Sequence, residues 1–235
     1  MKKVIFSFML SGILMAGCAT TNYDDAHFNR GFNYYEQGNY DRAIDEYSQA
    51  ISIRPAADAY YNRGLAYDKK GLYDLAIEDY TKSLSIKPNA DAYYNLGLIY
   101  DKKGMQDRAI EDYTRSISIK PAADAYYNRG LIYDRQKLYD RAIGDYTQAV
   151  ILRPQHGDAY YNRGFVYEKK GDYDRAIENY TKSISIKPAY DAHYRRGVAY
   201  GKKGLSDRAI SDFRQACDMG YDLGCKDLQE ILRNK

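Results

Sequence analysis

Histidine, cysteine and carboxylate side chains are the groups in this 235-residue sequence that could support catalysis or metal binding. His27 and His193 occupy an aromatic packing position of a repeated segment, and no serine or cysteine nucleophile accompanies His156. The sequence contains no phosphate-binding loop, HExxH motif or paired-cysteine metal signature. Its carboxylates recur with the repeat instead of forming a single acid/base pair. We therefore expect no enzyme activity, no metal and no cofactor.

The N-terminus has the composition of a secretory signal, predicted over residues 1–17. Lys2 and Lys3 precede an apolar run of 14 residues, shorter than the roughly 20 that a membrane-spanning helix needs. The following Met15-Ala16-Gly17-Cys18 resembles the bacterial lipobox, in which the cysteine is acylated and becomes the new N-terminus. The resemblance implies lipid attachment at Cys18. Ordinary secretory cleavage nearby, with Cys18 removed or left as a free thiol, is the alternative.

Lipidation at Cys18 would hold the protein at a membrane, because each buried CH2 of an acyl chain contributes about 0.8 kcal/mol. Residues 18–23 are predicted to form a short tether that keeps the rest of the chain close to the bilayer. Ala19 lacks the aspartate that resembles an inner-membrane retention signal, which favours the periplasmic face of the bacterial outer membrane. Loss of Lys2 and Lys3 leaves a net charge of about +1, so no nucleic-acid partner is indicated.

A 14-residue segment, typified by Asp-Ala-Tyr-Tyr-Asn-Arg-Gly-Leu-Ala-Tyr-Asp-Lys-Lys-Gly at residues 58–71, recurs along the chain. Its first glycine falls at Gly31, Gly64, Gly97, Gly130, Gly164 and Gly197, with steps of 33 or 34 residues. A period of this length is that of a supersecondary unit, so we expect one array of six stacked repeats.

Each repeat has the pattern of two helices. In the second copy, Asp58 to Lys70 has helical spacing without proline, and Gly71 stands where a left-handed residue ends a helix. A second helix is predicted from Tyr73 to Ile86, where Pro88 stops it.

The recurring residues of this unit are Tyr60, Gly64, Tyr67, Ala76, Tyr80 and Pro88. Their types and offsets resemble the tetratricopeptide repeat (TPR). The resemblance implies an all-α fold, a right-handed α-solenoid of six helix-turn-helix repeats over residues 24–221, with a capping helix over residues 222–235. Gly64 in mid-helix costs about 1 kcal/mol relative to alanine, which indicates that the second helix approaches it closely at Ala76 or Tyr80.

Three departures from the family pattern carry expectations of their own. Arginine replaces the usual leucine before the glycine at Arg30, Arg63, Arg129, Arg163 and Arg196, and an acid recurs on the second helix at Glu46, Asp79, Asp112, Asp145 and Asp212. We expect most of these arginines to pair with such acids within or between repeats. Leu96 and Asn179 interrupt the two series, and Lys137 replaces a turn glycine, where strain is expected.

The end of the array contains a cysteine pair. Residues 216–225 resemble the cysteine-rich Sel1-like repeats of secreted bacterial proteins, and this resemblance implies a disulfide between Cys217 and Cys225. A redox or metal site is the less favoured interpretation, because no third or fourth ligand lies near in sequence. The last helix, Asp222 to Arg233, is predicted to cap the array with four residues inward, namely Leu223, Leu228, Ile231 and Leu232.

The surface that remains for function is one face of the first helices, which we call the groove face. Its predicted residues are Phe28, Asp58, Tyr61, Asn62, Leu65, Asp91, Tyr94, Asn95, Leu98, Asp124, Tyr127, Asn128, Leu131, Tyr161, Asn162, Phe165, Tyr194 and Arg195. Tyrosine and asparagine suit a protein segment, because an amide bonds any peptide backbone and a phenol gives rigid amphipathic contact. In the alternative interpretation the aspartates favour helix N-termini, and the Asn and Tyr side chains bond to neighbouring helices.

The sequence therefore favours a lipid-anchored scaffold that recruits cell-envelope proteins at the outer membrane. A self-associating structural or stress lipoprotein without a specific client is the alternative. An enzyme that hydrolyses cell-wall drugs, by analogy with claims for cysteine-rich Sel1-like relatives, is a distant third hypothesis.

Overall fold

The computed structural model describes residues 12–233, with side chains from Asp24 onward. Residues 1–11 of the expected signal segment and the side chain of Cys18 lie outside this described part. The described chain contains helices and no strand, in the order α1 Gly12–Glu36, α2 Tyr40–Ile53, α3 Ala57–Lys69, α4 Tyr73–Ile86, α5 Ala90–Lys102, α6 Gln106–Ile119, α7 Ala123–Arg135, α8 Tyr139–Leu152, α9 Gly157–Lys169, α10 Tyr173–Ile186, α11 Tyr190–Lys202, α12 Ser206–Asp218 and α13 Asp222–Arg233.

These helices form antiparallel pairs, such as α3 with α4 and α7 with α8, that follow one another along the chain as predicted. The fold is an all-α solenoid of helical repeats. The described residues fall into two compact units, the first ending at Ile99 and the second beginning at Tyr100.

The backbone of residues 18–23 continues α1, whereas the sequence predicted a separate tether. No proline or glycine lies between Cys18 and Asp24 to break the helix.

The core of each pair forms around one buried ring of the second helix, which is a tyrosine in the first five pairs and Phe213 in α12. Tyr80 is fully buried, and a Cβ placed on Gly64 of the facing helix would lie 2.9 Å from its ring. The glycine is therefore required by the approach of this ring, as predicted. Tyr47, Tyr113, Tyr146 and Tyr180 are buried in the same position.

The turn between the two helices of a pair uses a left-handed residue. Gly71 has φ +74°, and Lys137, the one replacement of this glycine by a residue with a side chain among the described turns, has φ +59°. An L-residue with a Cβ pays about 1 kcal/mol or more in this region, so the expected strain at Lys137 is confirmed.

Replacing Lys137 with glycine is expected to raise the free energy of unfolding by about 1 kcal/mol, because glycine adopts positive φ without a steric penalty. Urea unfolding followed by circular dichroism measures the change. The reciprocal variant Gly171→Lys is the matched control and should lower the free energy of unfolding by a similar amount. Equal stability of Lys137→Gly and the natural protein would show that the turn is unstrained.

The C-terminal helix α13 begins and ends at the predicted residues, and a disulfide joins Cys217 to Cys225 with their Cα atoms 4.6 Å apart. Its inward face differs from the prediction in part, because Leu228 and Ile231 are half-buried whereas Leu223 and Leu232 are 48% and 49% exposed. Gly224 is the buried residue, and a Cβ there would lie 2.9 Å from the Cβ of Ala216. The helix therefore turns its smallest residue inward and leaves the two leucines at solvent.

Candidate protein-binding face

Arginine–carboxylate pairs fix the first helices that carry the groove face. The Nε and Nη2 atoms of Arg63 donate to the two carboxylate oxygens of Asp79 at 2.7 and 2.8 Å. Its Nη1 donates to Ser48 Oγ, on the second helix of the preceding repeat, at 2.9 Å. The same arrangement joins Arg129 to Asp145 and Thr114, and Arg196 to Asp212 and Thr181, while Arg30 donates to Glu46. The predicted pairing is confirmed, and each of these three threefold contacts also ties one repeat to the next.

The two interruptions of the series have different outcomes. Arg163 donates to the amide oxygen of Asn179 at 2.8 Å and to Thr147 at 3.0 Å, so an uncharged partner accepts the bond that a carboxylate accepts elsewhere. In the repeat that has Leu96 at the arginine position, the acid is Asp112. Asp112 is 8% exposed, has no arginine partner among residues 100–233, and burial raises its pKa to about 6.

Asp112→Asn is expected to raise the free energy of unfolding at pH 7.5 by about 2 kcal/mol, because a buried carboxylate with a raised pKa must ionise at a cost. The folded protein holds this proton more tightly than the unfolded chain, so the penalty grows as pH rises from the ordinary aspartate pKa to about 6 and is constant above that. The difference between variant and natural protein should vanish below the ordinary aspartate pKa. Urea unfolding of both proteins below the ordinary aspartate pKa and at pH 7.5 tests this.

Asn179, at the equivalent position, shows how an amide is accommodated, because its Nδ2 donates to the backbone oxygen of Arg175 at 2.7 Å. The control variant Asp145→Asn should lose stability, since it removes the charge that faces Arg129. A less stable Asp112→Asn at pH 7.5 would contradict the account.

The two histidines of the terminal repeats, which occupy the aromatic packing position, are largely buried and lie beside a carboxylate. His27 Nδ1 lies 2.6 Å from a carboxylate oxygen of Glu46, and His193 Nδ1 lies 3.1 Å from Asp212. Both imidazoles lie beside the arginine-bound acid of their own repeat, because the aromatic position is one helical turn before the arginine.

The tyrosines of the groove face are half-buried and bond to the next first helix. Tyr127 Oη accepts a hydrogen bond from Asn162 Nδ2 at 3.0 Å, and Tyr61 Oη accepts one from Asn95 Nδ2 at 3.4 Å. Burial raises the pKa of Tyr61 to about 12. The alternative in which Asn and Tyr bond to neighbouring helices therefore applies to part of the set. Asn62 bonds within its own helix, to the backbone oxygen of Asp58 at 2.7 Å.

The Tyr127–Asn162 bond uses one acceptor site of the phenol and one amide N–H. The phenol O–H and the Asn162 Oδ1 have no other partner among the described residues, and they form an adjacent donor and acceptor. A peptide group presents the complementary C=O and N–H. The structure therefore brings these two predicted residues together in an arrangement suited to a polypeptide backbone.

The other predicted groove-face residues fall into two groups. Asp58 and Asp91 are exposed in the first turns of α3 and α5, while Asp124 accepts two bonds of 2.7 Å from Arg153. The half-buried group comprises Phe28, Leu65, Tyr94, Leu98, Asn128, Leu131, Tyr161, Phe165 and Tyr194. The face is thus apolar and aromatic along each helix, with carboxylates at the helix N-termini.

The last repeats differ from the middle of the array. Arg195 replaces the recurring asparagine, lies 4.5 Å from the centre of the Phe165 ring and donates to Glu168 at 3.2 Å. Glu168 also accepts from the buried Tyr180 Oη at 2.6 Å, and Tyr194 Oη donates to Asp227 of α13 at 3.0 Å. These contacts hold the charges of this region in internal pairs.

Sequence reasoning missed the hydroxyl that each paired arginine contacts in the preceding repeat. The signal is present, because a serine or threonine recurs at one second-helix position, namely Ser48, Thr81, Thr114, Thr147 and Thr181. This serine or threonine directly follows the buried tyrosine. Without the stacking of the repeats, the sequence predicts an ordinary exposed residue of the helix at this position.

Stacked helical pairs with a half-exposed aromatic face define a helical-repeat protein. Models of the tetratricopeptide repeat match residues 57–89, 90–122, 123–156, 157–190 and 190–219, and a TPR repeat model matches residues 32–71. The chain belongs to the tetratricopeptide repeat family and is a protein–protein interaction scaffold. None of these models describes an enzyme, and none is a Sel1-like repeat, so that resemblance stays a prediction.

Several solved structures share this fold. The MamA protein is 35% identical with a TM-score of 0.65, over 69% of this chain and 90% of that one. YrrB, described as a TPR protein with an unusual peptide-binding site, is 23% identical with a TM-score of 0.70, over 78% and 97%. PilF of Pseudomonas aeruginosa is 19% identical with a TM-score of 0.71, over 92% and 100%. No curated protein sequence matches the chain.

The described residues hold no cluster of three or more His, Cys, Asp or Glu side chains suited to a metal ion. Within the same part of the chain, no helix has the length and apolar character that crossing a bilayer requires.

Proposed function

We propose that this protein is a lipid-anchored periplasmic TPR scaffold of the bacterial outer membrane that binds a segment of a partner protein on its groove face. The observation that carries the binding proposal is the Tyr127–Asn162 pair, whose remaining donor and acceptor complement a peptide group. The half-buried leucines and rings beside it supply apolar contact for alternate side chains of a bound segment.

The anchor is proposed from the N-terminal sequence. Lys2 and Lys3, a short apolar run and the Met-Ala-Gly-Cys sequence ending at Cys18 together resemble a lipoprotein signal. A second support is the disulfide between Cys217 and Cys225, because disulfides persist in oxidising compartments such as the periplasm.

Metabolic labelling with a fatty-acid analogue tests the anchor. The natural protein should incorporate the label and fractionate with the outer membrane, whereas Cys18→Ser should do neither. An unlabelled natural protein recovered from the soluble periplasm would rule out the anchor without bearing on the groove face.

In-cell photo-crosslinking from positions 94 and 131 tests the binding proposal, with a photoreactive phenylalanine derivative in place of Tyr94 or Leu131, so that the Tyr127–Asn162 pair stays intact. One abundant adduct to a different envelope protein is the expected result. The absence of any protein adduct from both positions would contradict the proposal.

A self-associating envelope lipoprotein is the second candidate, favoured by apolar side chains that lie exposed on the second helices. Leu75, Ile86, Ile119 and Ile151 are between 43% and 62% exposed. If this candidate is correct, crosslinking yields adducts between copies of this chain only.

A further inference from the structure

A pocket of about 150 Å³ opens between α1, the C-terminal end of α2 and the N-terminal turn of α3. Its walls combine apolar surface with charge, contributed by Asp24, Asp25, Phe28, Arg54, Asp58 and three alanines. Phe28 and Asp58 are groove-face residues, so the pocket opens on that face within the first unit.

The charges around the pocket do not balance, since three carboxylates surround one guanidinium. Arg54 donates to Asp24 through Nε and to Asp25 through Nη2, the latter at 3.4 Å. Asp24 is only 4% exposed, and its Oδ1 is buried without a hydrogen-bond partner among the described residues. Asp58 forms no ion pair with any described side chain. A buried acceptor without a donor is unfavourable, so the pocket is built for an additional cationic donor.

An equivalent place in a later repeat of this chain shows which kind of group fits such a pocket. Three repeats further towards the C-terminus, the residues equivalent to Asp25, Phe28 and Arg54 are Asp124, Tyr127 and Arg153. The loop there is one residue longer and places the ring of His156 4.6 Å from that of Tyr127, with Nε2 3.9 Å from Asp124 Oδ1. The imidazole is 90% buried, as its side chain is 10% exposed. A flat nitrogen-containing group, packed against the aromatic ring at a tilt of 41° and with one nitrogen near the aspartate, therefore occupies the equivalent place.

We infer that the pocket between α1, α2 and α3 takes an arginine side chain of the partner protein. This inference rests on the proposed function and names the chemistry of one contact within it. The guanidinium packs against the ring of Phe28, as His156 packs against that of Tyr127, and donates to Asp24 Oδ1 and Asp58, while its methylene stem packs on the alanines. Arginine fits better than lysine, because its planar fork both stacks on a ring and reaches two carboxylates at once.

The probe for this inference is N-acetylarginine amide, with N-acetylcitrulline amide as its uncharged match, titrated into the full-length protein. Binding is followed through the backbone NMR signals of Ala56, Ala57 and Ala59. The arginine probe should bind in the millimolar range expected of so small a ligand, and the citrulline probe at least about tenfold more weakly.

Two variants test the location. Replacing Ala56-Ala57 by Gln-His-Gly copies the longer loop, Gln155-His156-Gly157, and should abolish probe binding while thermal unfolding stays unchanged. Asp58→Asn should weaken binding about tenfold, whereas Asp124→Asn, at the site that His156 fills, should leave it unaltered.

Equal binding of the two probes, or full binding by the variant with the longer loop, would overturn the inference. If the probe fails while crosslinking from position 131 still captures an envelope protein, the arginine pocket is wrong and the proposed function stands. Specific probe binding without any captured partner would support the pocket and contradict the proposed function.

Discussion

Arg129→Met is expected to lower the free energy of unfolding by about 3 to 5 kcal/mol, the cost of removing one partner from a buried ion pair. The variant keeps much of the side-chain volume but leaves the carboxylate of Asp145, 6% exposed, without its two donors at 2.7 and 2.8 Å. It also removes the 2.8 Å bond to Thr114 that joins two repeats. Urea unfolding followed by circular dichroism measures the loss.

The double variant Arg129→Met, Asp145→Leu separates the cost of an unpaired charge from the cost of altered packing. Replacing both partners with apolar residues removes the buried charge, so most of the lost stability should return. If Arg129→Met lowers the free energy of unfolding by less than about 1 kcal/mol, solvent must reach Asp145, because exposed ion pairs contribute no more than that.

Gly130→Ala is expected to destabilise the protein by about 2 kcal/mol. The added Cβ would lie 2.9 Å from the ring of Tyr146 and 3.3 Å from the Cβ of Asp145. Tyr146 is fully buried, so its ring cannot move aside without disturbing the core. Overpacking of this kind costs about 1 to 3 kcal/mol, which exceeds the gain of up to about 1 kcal/mol from the better helix propensity of alanine.

Gly144→Ala is the matched control, because Gly144 lies in the helix that carries Tyr146 and a Cβ there meets nothing within 4 Å. This variant should gain about 0.5 to 1 kcal/mol from helix propensity alone. The two substitutions are chemically identical and are expected to change stability in opposite directions. Equal effects would show that the close approach at Gly130 does not determine the packing.

The sequence predicted what depends on short-range geometry. The bounds of the second helix at Tyr73 and Ile86, the left-handed turn at Gly71 and the close approach at Gly64 follow from residues within one repeat. The arginine–acid pairs were also predictable, because both partners recur with the same separation in successive repeats.

Contacts that depend on how repeats stack were not predictable. The bond from Arg63 to Ser48 joins two repeats, and the Tyr127–Asn162 bond joins two first helices. These bonds determine which polar groups of the groove face remain available to a ligand. The inward face of α13 was misassigned because hydrophobicity selected Leu223 and Leu232, whereas contact with Ala216 favours Gly224.

The proposed arginine pocket between α1, α2 and α3 was also not predictable from the sequence. Phe28, Arg54 and Asp58 are separated by up to 30 residues, and their sequence positions alone do not reveal a cavity. The extra residue before Gly157 was visible as a difference in repeat length. Its consequence, an imidazole in the equivalent place, needed the structure.

Comparing crosslinking yields from two faces of the same unit is the most direct test of the central claim that the groove face binds a partner protein. A photoreactive residue replaces either Leu131 on the groove face or Ile151, which is 62% exposed at the end of α8. We predict a strong adduct to one envelope protein from position 131 and little from position 151. Adducts of that protein from position 151 and none from position 131 would contradict the account.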